Sequence, residues 1–256
     1  MVKWQECQMQ RYFVSEDAFQ GEFVWLTGEE VHHIRNVMRF QPNDQIIVCK
    51  EDGMDYLCSI SEINRNEILC EVVEKRPSKG EPKTRITVAP SLVRSNKLEW
   101  IIQKGTEIGA VSFQPFCSER SLIHIDDKKE RKKRERWQRI AKEAAEQSHR
   151  GKVPAVLPAL SWKEFLAEME RFPLVLIAYE KGGVPIRQAM AGSQADEIML
   201  VTGPEGGFTE AEIDEAKARG AVPVTLGNRI LRAETAPLVA LSCILFARHE
   251  LGGETQ

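Results

Sequence analysis

A glycine-rich loop is the segment of this 256-residue sequence that most clearly suggests a ligand-binding or catalytic site. The apolar run EIMLV, residues 197–201, leads into TGPEGG at residues 202–207. Glycines let a backbone approach a ligand closely and leave N–H groups free to bind it. No Lys-Ser/Thr pair follows, and the G-x-G-x-x-G spacing is absent, so we expect a ligand other than a nucleoside triphosphate or a dinucleotide. The alternative is a tight turn before a helix, whose start is specified by Thr209 and Glu212 at capping-box spacing.

A second loop places two opposite charges before an apolar helix. The strand-like run at residues 222–226 ends at Gly227, and Arg232 and Glu234 precede the segment PLVALSCILF. Thr235 is the predicted N-cap of that helix, with proline in its first turn. Charges next to a helix that must be buried either neutralise each other or serve a site.

Charge is distributed unevenly along the chain, although its formal sum is only -3. Residues 1–82 hold 9 basic and 15 acidic side chains, whereas residues 128–152 hold 11 Lys/Arg and 4 Glu. Such a basic stripe fits a nucleic-acid partner, and a solvated helix face with i,i+4 ion pairs is the alternative. Helical spacing puts Arg139, Glu143, Glu146 and Arg150 on one face.

Metal and disulfide chemistry are not favoured. The adjacent His32 and His33 point in different directions on a helix and have no acidic or thiol partner at ligand spacing. The six cysteines contain no CxxC pair, which predicts reduced, mainly buried thiols. Trp100 and Trp137 lie on apolar helix stripes and are predicted to belong to the core or to a dimer interface.

The elements that must position these residues fall into two regions. Residues 1–75 alternate short β-type runs with turn signals, which predicts a small meander or barrel. One helix, EEVHHIRNVMR, is predicted there with Thr27 as its cap and Val31, Ile34 and Met38 in the core. The polar stretch at residues 76–83 is a predicted linker, and residues 84–256 alternate strands with helices, which is typical of a parallel sheet covered on both faces.

Composition is that of a soluble globular protein, with 42% hydrophobic and 29% charged residues. No apolar run approaches the ~18 residues of a membrane span, and the first residues lack the apolar segment of a signal peptide. The sequence therefore predicts a cytoplasmic protein.

Several long strings give the sequence a family resemblance. GPEGGFTEAEIDEA, LGNRILRAETA, KLEWIIQKGTEIGA, AKEAAEQSHR and RYFV resemble, in order and spacing, the bacterial 16S ribosomal RNA uridine-N3 methyltransferases known as RsmE. The resemblance implies an α/β fold, with a SPOUT-class trefoil-knot domain at residues 84–256 and a small PUA-like β-barrel domain for RNA recognition at residues 1–75. It also implies a homodimer that acts on 16S ribosomal RNA in the small ribosomal subunit, without metal.

The resemblance implies that S-adenosyl-L-methionine binds in three loops. An apolar slot with backbone hydrogen bonds suits adenine, and glycines suit the methionine part. The implied cofactor-binding residues are Ile177, Ala178, Tyr179, Glu180, Thr202, Gly203, Pro204, Glu205, Gly206, Leu226, Gly227, Ile230 and Leu231.

Catalytic and RNA-binding roles follow from the same resemblance. Methylation of uridine N3 requires an imide proton to leave while charge spreads onto two carbonyl oxygens. We expect Glu205 or Glu234 to be the base or orienter, with water as an alternative base, and Arg232 to hold the carbonyl oxygens. The expected RNA contacts are Arg11, Arg35, Arg39, Arg94, Lys97, Lys104, Glu146, Gln147 and Arg150.

A methyltransferase that acts on another RNA target is one alternative, and two other classes of protein also remain. One is a non-catalytic, dimeric RNA-binding protein, which would not need the glycine loop or the Arg232 and Glu234 charges. The other is a Rossmann-type oxidoreductase, which is weakened by the missing dinucleotide fingerprint.

Overall fold

Two β-sheets organise the chain, and each lies in its own structural unit. The computed structural model describes residues 9–121 and 127–252. The first unit comprises residues up to 81 together with 145–153, and the second comprises residues 82–144 and 154 onwards.

The first unit is a six-stranded sheet in the order β1-β4-β5-β6-β3-β2. The β1–β4 pair is parallel and the others are antiparallel. Alternate side chains face a core that includes Leu26, Ile46, Val48, Ile60 and Ile68. The strands are β1 (Arg11–Phe13), β2 (Phe19–Gln20), β3 (Phe23–Thr27), β4 (Gln45–Cys49), β5 (Met54–Ile63) and β6 (Glu67–Pro77).

The helix of this unit differs from the expectation in its cap and its winding. Thr27 pairs with Glu67 as the last residue of β3, so it cannot also cap the helix. The N-cap is Gly28, followed by α1 (Glu29–His32) and a π-helical turn, His33–Met38. Val31 and Ile34 are buried as predicted, whereas Met38 is only half-buried.

The boundary region also differs in detail from the sequence pattern. Strand β6 continues to Pro77, inside the stretch predicted as a linker. Residues 145–153, which the sequence places far along the second region, belong to the first unit. Ala145 contributes to an apolar cluster there with Phe13, Ile47 and Cys49.

The second unit is a seven-stranded, all-parallel sheet in the order β11-β13-β10-β12-β7-β8-β9. This confirms the predicted parallel sheet. Helices α4 and α6 supply Phe165, Met169 and Ile213 to the core on one face, while α7 packs against β7, β12, α2 and α5. The strands are β7 (Arg85–Pro90), β8 (Ser112–Phe113), β9 (Ala155–Val156), β10 (Leu174–Ala178), β11 (Val184–Pro185), β12 (Glu197–Thr202) and β13 (Val222–Thr225). The helices are α2 (Ser95–Ile108), α3 (Asp127–Gln147), α4 (Trp162–Met169), α5 (Ile186–Ala191), α6 (Glu210–Ala218) and α7 (Ala236–Ala247).

N-cap residues define where the two helices that follow the candidate loops begin. Thr209 and Glu212 form the predicted capping box, with Glu212 Oε2 accepting from Thr209 N–H at 2.9 Å. Thr235 is the N-cap residue of α7, as predicted, although its side chain makes no capping hydrogen bond. Across the part of the chain that the structure describes, no helix combines the length and apolarity that a membrane crossing requires.

Candidate active site

A cavity of about 870 Å³ lies in the second unit, beside the loops that follow β10, β12 and β13. Parallel sheets bind ligands at the carboxyl ends of their strands, so the place agrees with the topology. Twelve of the thirteen residues expected to bind the cofactor line this cavity. The exception is Ile177, which is buried in the core within β10. The structure therefore brings together three loops that are far apart in sequence.

The glycines of the cavity do not all serve the purpose expected from the sequence. A Cβ atom on Gly203 would lie 3.1 Å from the Phe208 ring, so core packing is itself a reason for a glycine at this position. Gly207, with φ +65°, similarly makes room for Glu180. Gly227 is different, because its φ is +96° and no atom lies within 4 Å of a Cβ placed there. Open space next to a backbone in this conformation fits a ligand approaching closely.

Lys97 from the first turn of α2 joins two of these loops. Its Nζ lies 3.0 Å from Glu205 Oε1 and 3.2 Å from Glu234 Oε2. The three side chains are 20%, 28% and 21% exposed, so the cluster is half-buried and still open to the cavity. The hydrogen bond to Glu205 raises the pKa of Lys97, which keeps the ammonium charged.

Glu234 is held as a carboxylate within this cluster. Burial alone would raise its pKa, but its own backbone N–H and the Lys97 ammonium reverse the effect and lower the pKa. A carboxylate with a lowered pKa is a weak proton acceptor. Glu234 is thus better suited to orienting Lys97 than to removing a proton.

Arg232 is placed differently from the sequence interpretation that pairs it with Glu234. Its side chain is exposed and lines the cavity, and within residues 9–121 and 127–252 it makes no ion pair. Glu234 instead binds Lys97, which was expected to contact RNA. The guanidinium of Arg232 therefore remains available to a ligand.

One buried hydroxyl group in the cavity wall lacks a hydrogen-bond partner. Thr202, at the end of β12, is 1% exposed, and its Oγ1 has no acceptor or donor among the described residues. A buried unsatisfied hydroxyl is costly, and a bound ligand with a polar group would satisfy it. Thr202 Oγ1 and Gly227 together fit a compact polar ligand within these loops.

Arg120 supports the glycine loop, and sequence analysis missed it. Its Nη1 donates to the Gly206 carbonyl at 3.0 Å, and the neighbouring Glu119 N–H donates to Glu212 at 2.8 Å. These contacts join segments more than 80 residues apart, and no local pattern signals them.

Two of the residues expected to contact RNA are buried in the first unit. Arg11, 4% exposed, donates from Nη1 and Nη2 to Asp55 at 2.6 and 2.8 Å. Arg150, 3% exposed, donates to Glu81 at 2.8 and 2.7 Å, and its carbonyl accepts from Arg11 at 2.9 Å. Their burial is incompatible with direct RNA contact. These pairs instead tie residues 145–153 to the sheet.

The predicted charged face of α3 ends early. The helix stops at Gln147, and His149 turns the backbone with φ +57°, so Arg150 does not continue the face of Arg139 and Glu143. Glu146 accepts a hydrogen bond from Phe13 N–H at 3.1 Å, and Gln147 is exposed.

The remaining expected RNA contacts are accessible. Arg35, Arg39 and Arg94 are exposed, and Lys104 pairs with Glu107 at 2.7 Å. Arg39 ends the π-helical turn with φ +57°, so it does not share a helix face with Arg35. Arg35 instead lines a depression of about 280 Å³, whose other walls are Gly28, Val31, His32, Asn36, Arg65 and Asn66.

The other side chains singled out in the sequence have structural positions. Trp137 is buried as predicted, whereas Trp100 is 49% exposed and lies under Lys104 Nζ. Among the described residues there is no cluster of metal ligands: His32 bonds to Asn36, and His33 to Tyr12. The described cysteines are free, with Cys49, Cys58 and Cys70 buried, Cys117 half-buried and Cys243 exposed. Cys7 lies outside the described residues.

Comparison with known proteins defines the class first. Residues 80–245 match the RNA methyltransferase domain, and residues 26–73 match the RNA methyltransferase PUA domain. Together with the all-parallel sheet, these matches define an RNA methyltransferase of the SPOUT-like α/β class with a PUA-like domain, as the resemblance implied.

Individual relatives then define the family. The chain is 43% identical over 255 residues to ribosomal RNA small subunit methyltransferase E of Bacillus subtilis, covering 96% of this chain and 100% of the relative. The Neisseria gonorrhoeae methyltransferase of the same name, solved with bound S-adenosylmethionine, is 32% identical with a TM-score of 0.84, covering 93% of this chain and 97% of that chain. A Legionella pneumophila structure with the same bound cofactor is 26% identical with a TM-score of 0.84, covering 94% and 98%. This chain belongs to the ribosomal RNA small subunit methyltransferase E family, which sets aside the oxidoreductase alternative.

Proposed function

We propose that this protein transfers a methyl group from S-adenosylmethionine to N3 of a uridine in 16S ribosomal RNA of the small subunit. The observation that carries the proposal is the three-loop cavity with the Lys97 cluster at its wall, in a chain of this family. Gly227 and the unsatisfied Thr202 hydroxyl support a place for the cofactor in these loops. When bound, S-adenosylmethionine supplies an activated methyl group, so no metal is required.

Three side chains at this cavity are then assigned separate roles in the methyl transfer. Glu205 lines the cavity itself, and we assign it as the group that accepts or relays the imide proton. Glu234 orients Lys97, and Arg232 donates to a carbonyl oxygen on which negative charge develops. Each role requires a group already present at the cavity.

RNA binding by the first unit is part of the same proposal. Arg35 and Arg65 border one depression that no carboxylate lines, although this part of the chain is acidic overall. Two guanidinium groups at a concave surface suit a phosphodiester. We assign this depression, with exposed Arg39, to RNA contact in place of buried Arg11. Arg94, Lys104, Glu146 and Gln147 remain further candidates.

A homodimer in the cytoplasm completes the proposal. Phe246 on α7 is 65% exposed beside an apolar groove that also includes Cys243 and Leu251. Exposed apolar surface of this kind favours association with a second copy. Light scattering tests it, since a particle of 29.0 kDa at micromolar concentration would contradict the dimer. The cytoplasmic location rests on the ribosomal substrate, and fractionation of cells checks it.

Labelling tests the activity. Small subunits from a strain that lacks the protein are incubated with it and with methyl-labelled S-adenosylmethionine, and the labelled nucleoside is mapped. We expect label at N3 of one uridine. Tight RNA binding without any label would support the non-catalytic alternative, and label at another atom would overturn the assigned reaction.

A further inference from the structure

Lys97, expected from the sequence to contact RNA, lies at the wall of the cavity formed by the three loops. It projects from α2 into the cavity, where carboxylates from two separate loops hold its ammonium at 3.0 and 3.2 Å. An ammonium has three N–H donors. The two carboxylates hold it by ion pairing, and Glu234 Oε2 is a buried oxygen with no hydrogen-bond partner among the described residues. Lys97 therefore keeps donor capacity for a ligand, and the two glutamates keep its ammonium at the cavity wall.

A second donor faces the same cavity. Arg232 lines it with an exposed guanidinium that has no ion-pair partner among the described residues. Both groups are obligate donors: arginine does not deprotonate, and two neighbouring carboxylates keep Lys97 charged. The cavity wall therefore offers two cationic donors and, from Glu205, an acceptor.

We propose that Lys97 and Arg232 form a recognition site for the imide edge of uracil, each binding one of its two carbonyl oxygens. This inference rests on the proposed function. Uracil presents a carbonyl, an N–H and a second carbonyl along that edge, so two donors from the wall of one cavity can each bind one carbonyl. N3 lies between these two carbonyls and is bound by neither donor, so it stays accessible to the methyl group.

The same donors act on the reaction. N3 loses its proton to Glu205 or water, its electron pair forms the N–CH3 bond, and the S–CH3 bond breaks with its pair staying on sulfur. Before the new bond forms, negative charge lies on both carbonyl oxygens. Lys97 and Arg232 lower the pKa of the bound imide by stabilising that anion.

The arrangement also selects the base. Cytosine carries an amino group, itself a donor, where uracil has one of its carbonyls, and its N3 has no proton. Whichever carbonyl oxygen Lys97 binds, one of the two cations would face the amino group of cytosine, so that a donor would meet another donor. A site whose donors match the acceptors of its substrate disfavours an analogue that leaves one of those donors unpaired.

The test compares Lys97→Met with wild type by single-turnover methylation of small subunits across pH. Lys97→Met is expected to lose on the order of 10²-fold in rate near neutral pH, the scale for a lost oxyanion donor. Its rate should keep rising at pH values where the wild-type rate has levelled off, because the imide pKa is no longer lowered. Cofactor affinity, measured by calorimetry, should change only a few-fold, and Lys97→Arg should restore part of the rate.

Two further variants separate recognition from structure. Lys97→Met/Glu234→Gln removes the repulsion between carboxylates that the single variant leaves, and should keep the shifted pH profile. Lys217→Met, an exposed lysine on α6 paired with Asp214, is the matched control and should leave the rate unchanged.

The outcomes are distinct. A wild-type rate and pH profile in Lys97→Met would overturn the recognition site, and so would a loss equal at all pH values and accompanied by lost cofactor binding. If the wild-type protein itself does not label uridine N3, the proposed function fails before this inference is reached.

Discussion

Arg11 and Arg150 in the first unit and Lys97 in the second are all held by carboxylates, yet their surroundings are opposite. The two arginines are 4% and 3% exposed, and the segments they join close over them. Lys97 is also held by two carboxylates, but its side chain is 20% exposed and faces a cavity. Pairing with a carboxylate therefore does not by itself distinguish a structural charge from a functional one. What distinguishes them is whether the charged group borders a cavity that a ligand can enter.

Removing the carboxylate partner of the buried Arg11 should have the largest effect, a loss of folding stability. Asp55→Asn leaves the Arg11 charge buried without its partner, and should lower the free energy of unfolding by about 3–5 kcal/mol. Chemical denaturation followed by fluorescence measures the change. Glu197→Gln removes a carboxylate from the exposed Arg85–Glu197 pair and should cost about 0–1 kcal/mol. Equal effects of the two variants would show that Arg11 is not held as the structure indicates.

Removing the exposed charge of Arg232 from the cavity should lower the rate of methylation and leave the stability of the fold unchanged. Arg232→Ala is expected to lose on the order of 10²-fold in single-turnover methylation, with cofactor affinity within a few-fold of wild type. Arg232→Lys should recover little, because an ammonium lacks the planar two-donor fork. Arg85→Ala, at an exposed arginine outside the cavity, is the control. Loss of cofactor binding together with rate would make Arg232 part of the loop architecture and remove it from the proposed chemistry.

What the sequence predicts well in this protein is local. The Thr209–Glu212 capping box involves neighbours in the chain, and the parallel sheet follows from the alternation of strands and helices. The three loops are predicted by the family resemblance and meet in one cavity. Thr27 shows where a local signal fails, because pairing with Glu67 in the sheet overrides its capping propensity.

What the sequence does not predict is the pairing of charges over long separations. Lys97 is more than 100 residues from Glu205 and Glu234, yet among the described residues it is Lys97, and not Arg232 two residues away, that forms an ion pair with Glu234. The burial of Arg11 and Arg150 likewise depends on Asp55 and Glu81 from other segments. Composition and periodicity carry no information on which opposite charges meet.

The smallest expected effect concerns two glycines of the cavity, of which Gly203 lies against a side chain and Gly227 lies next to open space. Gly203→Ala places a methyl group 3.1 Å from Phe208, and relieving that overlap should cost about 1 kcal/mol in stability while cofactor affinity changes little.

Gly227→Ala places its methyl group in open space, and its φ of +96° strains the loop. We expect this variant to weaken cofactor binding more than Gly203→Ala does, because the strain and the added atom fall where the backbone has room for a ligand. Calorimetric titration of S-adenosylmethionine and thermal denaturation of both variants provide the comparison. Gly192→Ala is the control, since its φ is negative and no atom lies within 4 Å of the added carbon. If Gly203→Ala lost more cofactor affinity than Gly227→Ala, the ligand would have to lie on the Phe208 side of the loop, and the open position at Gly227 would have no part in binding.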